Sequence, residues 1–259
     1  MNHSVKALFF VLGIVHLFGM AAAAEPVSKT ITEVLREPLP SEDLSCTAND
    51  TAITIQGPTF RYSVDRATGA VSALEALRDN RVVMKLQEAV TLWLEDVSLA
   101  KSAKAVTTIQ TEGKEQVVLS TEGQWRTGVS YTLRSIFYND GVLVSEITLT
   151  PEADLELHQG IRYELTAAGR FTHYLHKRRD NEGMDCFKGA LPKPGETVRM
   201  STPTSCLEVF SSEAALAMFT DMGDFHRSPA ELDTAAIRVD SVVQKGDSPE
   251  WHLVKPNTF

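Results

Sequence analysis

Phe60-Arg61-Tyr62-Ser63-Val64-Asp65-Arg66-Ala67-Thr68-Gly69-Ala70-Val71-Ser72-Ala73-Leu74 decides the fold class. Phe60, Tyr62 and Val64 alternate with polar residues, the period of a strand that buries one face. Arg66-Ala67-Thr68-Gly69 reads as a turn, and residues 70–77 as the returning strand. The device recurs on both sides. Upstream, Ala52 to Gln56 alternates and stops at Gly57-Pro58. Downstream, Val83 to Leu99 is long enough for two strands or one bent strand, and Val106 to Gln110 and Gln116 to Ser120 flank Thr111-Glu112-Gly113-Lys114 as a hairpin. Gly128 to Tyr138 and Val142 to Leu149 flank Asn139-Asp140-Gly141, the strongest turn signal in the chain. Ile161 to Leu165 alternates again, and Leu207 to Phe210 with Ala217 to Phe219 reads as a strand pair around a Ser-Ser-Glu turn. Short strands at this spacing predict an all-β protein, a large antiparallel sandwich. No Gly-, Ser- or Pro-rich linker and no fixed-period repeat interrupts it, so residues 50–259 read as a single domain.

The 259 residues are 43% hydrophobic, 23% charged and 7% aromatic, the balance of a chain that folds around a substantial core. With 34 acidic against 25 basic side chains the formal charge is −9, which argues against nucleic acid as a partner because phosphate binding needs clustered Lys and Arg. Residues 1–24 read as a secretory leader: Lys6 gives a positive start, Ala7 to Met20 an apolar run, and Ala21 to Ala24 a small-residue cleavage site before Glu25. The apolar run is shorter than the roughly 20 residues of a spanning helix, so the expectation is a secreted or periplasmic product with no stable membrane insertion after cleavage. Residues 25–49 are polar, contain Pro26, Pro38 and Pro40, and read as a lead-in segment; Asn49-Asp50-Thr51 matches a glycosylation sequon.

Three cysteines follow the leader: Cys46, Cys186 and Cys206. In an oxidising compartment a Cys186–Cys206 bridge is the favoured pairing, because it would close a loop containing Pro192, Pro194, Gly195 and Pro203. Three free thiols remain the alternative, since spacing does not establish geometry.

The densest chemistry lies in Arg170-Phe171-Thr172-His173-Tyr174-Leu175-His176-Lys177-Arg178-Arg179-Asp180. If the segment is extended, Thr172, Tyr174, His176 and Arg178 share one face, and Phe171, His173, Leu175 and Lys177 the other. The first face suits a sugar, with Tyr174 for the apolar side of a pyranose, His176 for hydroxyls and Arg178 for a carboxylate or sulfate. The same residues also read as a solvated strand end that protects a sheet edge. His173 and His176 form His-x-x-His but point to opposite faces of a strand and have no third ligand nearby, so no metal is expected. Asp221, Asp224 and His226 form a second polar cluster, readable as acid-base groups together with His173, or as plain turn chemistry. Trp93, Trp125 and Trp251 are stacking candidates; Trp125, between Gly123-Gln124 and Arg126-Thr127-Gly128, is the one whose setting best favours exposure. No nucleophile elbow, nucleotide loop or reactive-cysteine motif occurs, and no cofactor is expected.

The segment from Phe60 to Leu74, an alternating strand ending in Asp, a Thr-Gly turn and a strand of small and apolar residues, resembles the opening hairpin of galactose-mutarotase-like β-supersandwich domains. The pair from Leu207 to Phe210 and Ala217 to Asp221 looks like their late strand pair. Such domains commonly precede the catalytic barrel of secreted bacterial glycoside hydrolases and polysaccharide lyases. What the resemblance implies is a supersandwich and a carbohydrate-binding or carbohydrate-processing accessory role. It does not imply hydrolysis, because the chain through Phe259 has no room for a barrel. No family site residue maps onto His158, His173, His176 or His226. The expected partner is therefore a poly- or oligosaccharide, with anionic ones included. A sugar epimerase or lyase using His and Asp, and a periplasmic protein-interaction scaffold, stand as alternatives.

Overall fold

The computed structural model describes residues 6–12, 43–101, 105–153, 155–157, 161–166, 171–180, 183–193, 196, 198–200, 204–211, 214–220, 230–232, 236–240 and 251–253. Its strands in chain order are β1 (Lys6–Leu12), β2 (Ser45–Ala48), β3 (Ala52–Gln56), β4 (Phe60–Asp65), β5 (Val71–Arg78), β6 (Arg81–Leu94) and β7 (Val97–Ser98). They continue with β8 (Ala105–Glu112), β9 (Gln116–Arg126), β10 (Val129–Tyr138), β11 (Leu143–Pro151), β12 (Leu155–Leu157), β13 (Ile161–Thr166) and β14 (His173–Asp180). The last are β15 (Gly183–Ala190), β16 (Val198–Met200), β17 (Thr204–Phe210), β18 (Ala215–Thr220), β19 (Ala230–Leu232), β20 (Ala236–Asp240) and β21 (Trp251–Leu253). Among the described residues the sole helical element is a 3-10 turn over Leu99–Lys101.

Two open antiparallel sheets form the sandwich. The first has the order β15-β14-β17-β18-β1-β11-β10-β9-β8; the second has β16-β19-β20-β13-β6-β5-β4-β3-β2, with β7 paired to β6 and a separate β12-β21 pair. The alternation read from the sequence is the alternation of burial. Phe60, Tyr62 and Val64 of β4 are at most 1% exposed, and the intervening Arg61, Ser63 and Asp65 are half-exposed. Val117, Leu119, Leu133, Phe137, Leu143 and Ile147 share one core with them. Tyr62 meets Phe137 edge-on at 5.1 Å, a favoured aromatic geometry.

Three polar tips tie the layers together. Tyr62 donates its hydroxyl to the Gly141 carbonyl in the β10–β11 turn (2.8 Å), and Tyr131 donates to the Thr68 carbonyl in the β4–β5 turn (2.9 Å). Trp125 of β9 donates its indole N–H to the Val97 carbonyl of β7 (2.9 Å). Burial pushes the Tyr62 phenol far above its usual range, so it remains a neutral donor.

The β4–β5 turn owes its shape to two residues. Asp65 Oδ1 accepts the Ala67 N–H (2.9 Å) and the Thr68 hydroxyl (3.0 Å), and Gly69 takes φ +73°, the left-handed region that favours glycine. A Cβ at Gly69 would also stand 2.2 Å from Thr121 Oγ1. The turn does a second job. The Ala67 and Arg66 carbonyls accept the N–H groups of Ala105 (3.1 Å) and Thr107 (3.2 Å), covering part of the otherwise free edge of β8.

Several boundaries differ from expectation in an informative way. Residues 83–99 are mainly one bent strand: the β5–β6 register shifts between Val71 and Ala73, with Glu88 at φ +47°, and a turn with Glu95 at φ +56° leads into β7. Ser45–Ala48, inside the segment read as lead-in, pairs with β3 as the edge of the second sheet. Lys6–Leu12, inside the segment read as a leader, lies between β11 and β18. The pair read around the Ser-Ser-Glu turn is β17 and β18, with the Ser211 N–H donating to the Ala214 carbonyl across the turn.

Candidate functional site on β14, β15 and β17

Strand β14 lies between the edge strand β15 and β17. Its two faces separate as the alternation requires, but they point the other way from the sugar-facing expectation. In register, Tyr174 and His176 stand opposite Val209 and Leu207, both fully buried. His176 is itself 4% exposed, and Tyr174 is half-buried against the main core. Opposite residues in a ladder share a face, so the inward Leu207 and Val209 draw Tyr174 and His176 inward with them. The Tyr174 ring lies over Gly189, where an added Cβ would be 3.0 Å from it, and His176 stacks on Phe187 with centroids 6.1 Å apart. The structure gives Arg178 a backbone position only: it pairs with Asp185 and with Thr204, where the β14–β17 register shifts.

The exposed face carries the other histidine. His173 stacks on Phe210, centroids 5.6 Å apart with 20° between planes, and its Nδ1 is 2.9 Å from the Thr172 hydroxyl. Around this pair is an open depression of about 430 Å³ lined by His173, Lys188, Gly189, Ala190 and Phe210. Phe187, 46% exposed, belongs to the other face, opposite His176 in the ladder. The arrangement offers an exposed imidazole-phenyl stack that can serve as a platform, with one ammonium beside it. A pyranose can lay its C–H face on such a platform, and an ammonium beside it favours a carboxylate or sulfate substituent.

Trp125 is not a stacking platform. It is 2% exposed, hydrogen-bonded to Val97 and packed edge-on against Tyr131 at 5.7 Å. The flanking glycines do not expose it, because β9 runs through Gly123 and Gln124 to Arg126 and the strand period puts residue 125 inward with Val117 and Leu119. Trp93 is half-buried, and Trp251 is placed by its backbone pairing with Leu157. Asp221, Asp224 and His226 lie outside the described residues. Thr220, the last described residue before them, is five residues along β18 from Ala215, which is level with Phe210 and His173; that is about 17 Å of strand.

Cys186 and Cys206 face Lys177 from either side in register. Two strand spacings, about 10 Å, separate their backbones, whereas bridged cysteines hold their Cα atoms about 5.5 Å apart. A Cys186–Cys206 bridge therefore requires a pairing other than this one. Cys46 is a half-buried free thiol; burial raises its pKa and the Glu112 carboxylate raises it further, so it is a poor nucleophile. Among the described residues no three His, Cys, Asp or Glu side chains converge as a metal cluster.

The most connected charged group elsewhere is structural. Glu75, 8% exposed, takes Arg61 on one carboxylate oxygen (2.7 Å) and Lys85 on the other (2.8 Å), across the neighbouring strands β4 and β6. Both oxygens are engaged within the sheet. The large exposed apolar side chains Val82, Val106, Ile109 and Phe187 are distributed over β6, β8 and β15.

Lys188 and Phe210 had no place in the sequence-based site. Phe210 did carry a signal: in Leu207-Glu208-Val209-Phe210 it falls in the phase of Glu208, opposite to the buried Leu207 and Val209. Lys188 carried none, because its position depends on the β14–β15 register that sets it opposite Leu175.

No family model matches the sequence, and no curated protein matches it either.

Proposed function

We propose that this chain is a carbohydrate-binding β-sandwich domain of an exported protein, non-catalytic by itself, whose site is the outer-face depression around His173, Phe210 and Lys188. The observation that carries the reading is the exposed His173–Phe210 stack beside Lys188. A bare edge-protecting strand needs charge but gains nothing from an aromatic stack lining a depression. Sugars are bound through such platforms with a few polar groups fixing orientation, and the Lys188 ammonium favours uronate-bearing or sulfated chains over neutral ones. The galactose-mutarotase-like resemblance of the first hairpin points to the same class of ligand.

The test is a glycan array of neutral, uronate-containing and sulfated polysaccharides, followed by calorimetric titration of any ligand found. His173→Ala and Lys188→Ala are expected to weaken binding at least tenfold, about 1.4 kcal/mol or more. Lys114→Ala, at the β8–β9 turn by the opposite edge of the sheet, is expected to leave it unchanged. Binding of no glycan, or binding indifferent to both site variants, contradicts the proposal.

A further inference from the structure

The segment that reads as a disposable leader occupies the middle of a sheet. Strand β1 pairs with β11 at six positions, from Lys6 opposite Thr148 to Val11 opposite Leu143, and with β18 at four, from Phe9 opposite Thr220 to Leu12 opposite Ala217. It is antiparallel to both, so β11 and β18 run parallel to each other with one strand between them. Without residues 6–12 this pairing leaves two facing strand edges, each with unpaired backbone groups that must find partners.

The sequence of the inserted strand fits that position. Leu8-Phe9-Phe10-Val11-Leu12 is apolar at every position, the composition of a strand buried on both faces rather than one. The flanking strands supply matching surfaces. Leu143 and Ile147 of β11 belong to the main core, as does Leu216 of β18, and Ala217 is 4% exposed. On the opposite face Val144 is buried with Val118 and Ile136 in a separate apolar cluster, and the register continues this row from Val144 to Phe10 and on to Phe219. An apolar row on the outer face of a sheet is otherwise wasteful, and here it leads directly to the inserted strand.

We infer that β11 and β18 form a strand-acceptor slot whose occupant is the chain's own residues 6–12. The apolar run therefore has a second capacity besides addressing the chain for export. A chain that folds with this segment attached sequesters it in a nine-stranded sheet, and removal of the segment opens the sheet at its middle. The inference is independent of the carbohydrate reading, because the depression on β14, β15 and β17 lies on the far side of β18 from the slot.

Hydrogen exchange on the unprocessed chain, residues 1–259, tests this without any substitution. Amides of residues 7–12 are expected to exchange as slowly as those of residues 143–149, about a thousandfold slower than an unstructured peptide. Exchange of residues 7–12 at the unstructured rate, with residues 143–149 protected, overturns the inference. A second measurement fixes the register: Phe9→Cys/Ser145→Cys, directly opposite in the ladder, is expected to crosslink on oxidation in the unprocessed chain, and Phe9→Cys/Ser135→Cys, one strand further away, is not. Equal crosslinking of the two pairs, or none in either, overturns the slot. Glycan binding reads out neither experiment, so failure here leaves the carbohydrate proposal standing and the reverse also holds.

Discussion

Tyr62, Tyr131 and Trp125 turn their polar tips across the sandwich to carbonyls of the other layer, whereas at the β14–β17 margin His173 stacks on Phe210 at the surface. Both regions obey the same strand alternation. The difference lies in what each aromatic finds at its polar end. Tyr62 and Tyr131 meet the Gly141 and Thr68 carbonyls in the β10–β11 and β4–β5 turns, so their hydroxyls can be buried at little cost. Phe210 and His173 are out of phase with Leu207 and Val209, and they stack on each other at the surface, with the imidazole beside the Thr172 hydroxyl. An aromatic residue in a β protein is thus read as core or platform by its phase relative to the ladder partners, not by the polarity of its sequence neighbours.

Variants that break this comparison differ in size. The largest effect is expected for Trp125→Ala, which removes a fully packed indole and its bond to Val97: about 3–5 kcal/mol lost in denaturant unfolding. A loss below 1 kcal/mol would place Trp125 outside the core, as its glycine-flanked sequence first suggested. Next comes Gly69→Ala, expected to cost about 2–3 kcal/mol, because it forces a Cβ into the left-handed region and against Thr121 in the turn that Tyr131 clasps. Tyr62→Phe keeps the ring and removes one donor, leaving the Gly141 carbonyl without it, and is expected to cost about 1–2 kcal/mol by thermal or denaturant unfolding.

A smaller effect belongs to pH. Burial alone would raise the Glu75 carboxyl, but its bonds to Lys85 and Arg61 outweigh burial and hold it below the usual carboxylate range. A carboxylate lowered on folding contributes stability that is fully present above its unfolded pKa near 4.5 and is lost as pH falls through the lower folded value. Glu75→Gln is expected to flatten the fall of Tm below pH 4.5 and to leave its slope near neutrality unchanged; an unaltered acid limb would show that the triad is not formed. The smallest stability effect, within about 0.5 kcal/mol, is expected for His173→Ala, whose ring is exposed. A loss of several kcal/mol there would make the His173–Phe210 stack part of the core and remove it as a platform.

The architecture was legible because its information is local. Asp65, Thr68 and Gly69 specify a turn by their own hydrogen bonds and backbone freedom, and Phe60, Tyr62 and Val64 mark a buried face by period alone. The site was half legible for the opposite reason. The alternation of residues 173–176 separates the two faces, but which face turns outward depends on Leu207 and Val209, some thirty residues away in sequence and adjacent in the sheet. Lys188 likewise enters the depression through strand pairing. Cysteine spacing has the same limit: the proline-rich intervening loop suggested closure, while the register sets β14 between Cys186 and Cys206. Long-range pairing is invisible to spacing, and it is what assembles a site from three strands.

The most direct test of the proposed site is an NMR titration of the protein with a uronate oligosaccharide, following the His173 ring, the Lys188 side chain and the Trp125 indole N–H in one experiment. Progressive, saturable shifts at His173 and Lys188 with the Trp125 signal unmoved are the predicted result. Shifts at neither His173 nor Lys188, or ligand-induced shifts confined to residues away from β14, β15 and β17, would contradict it.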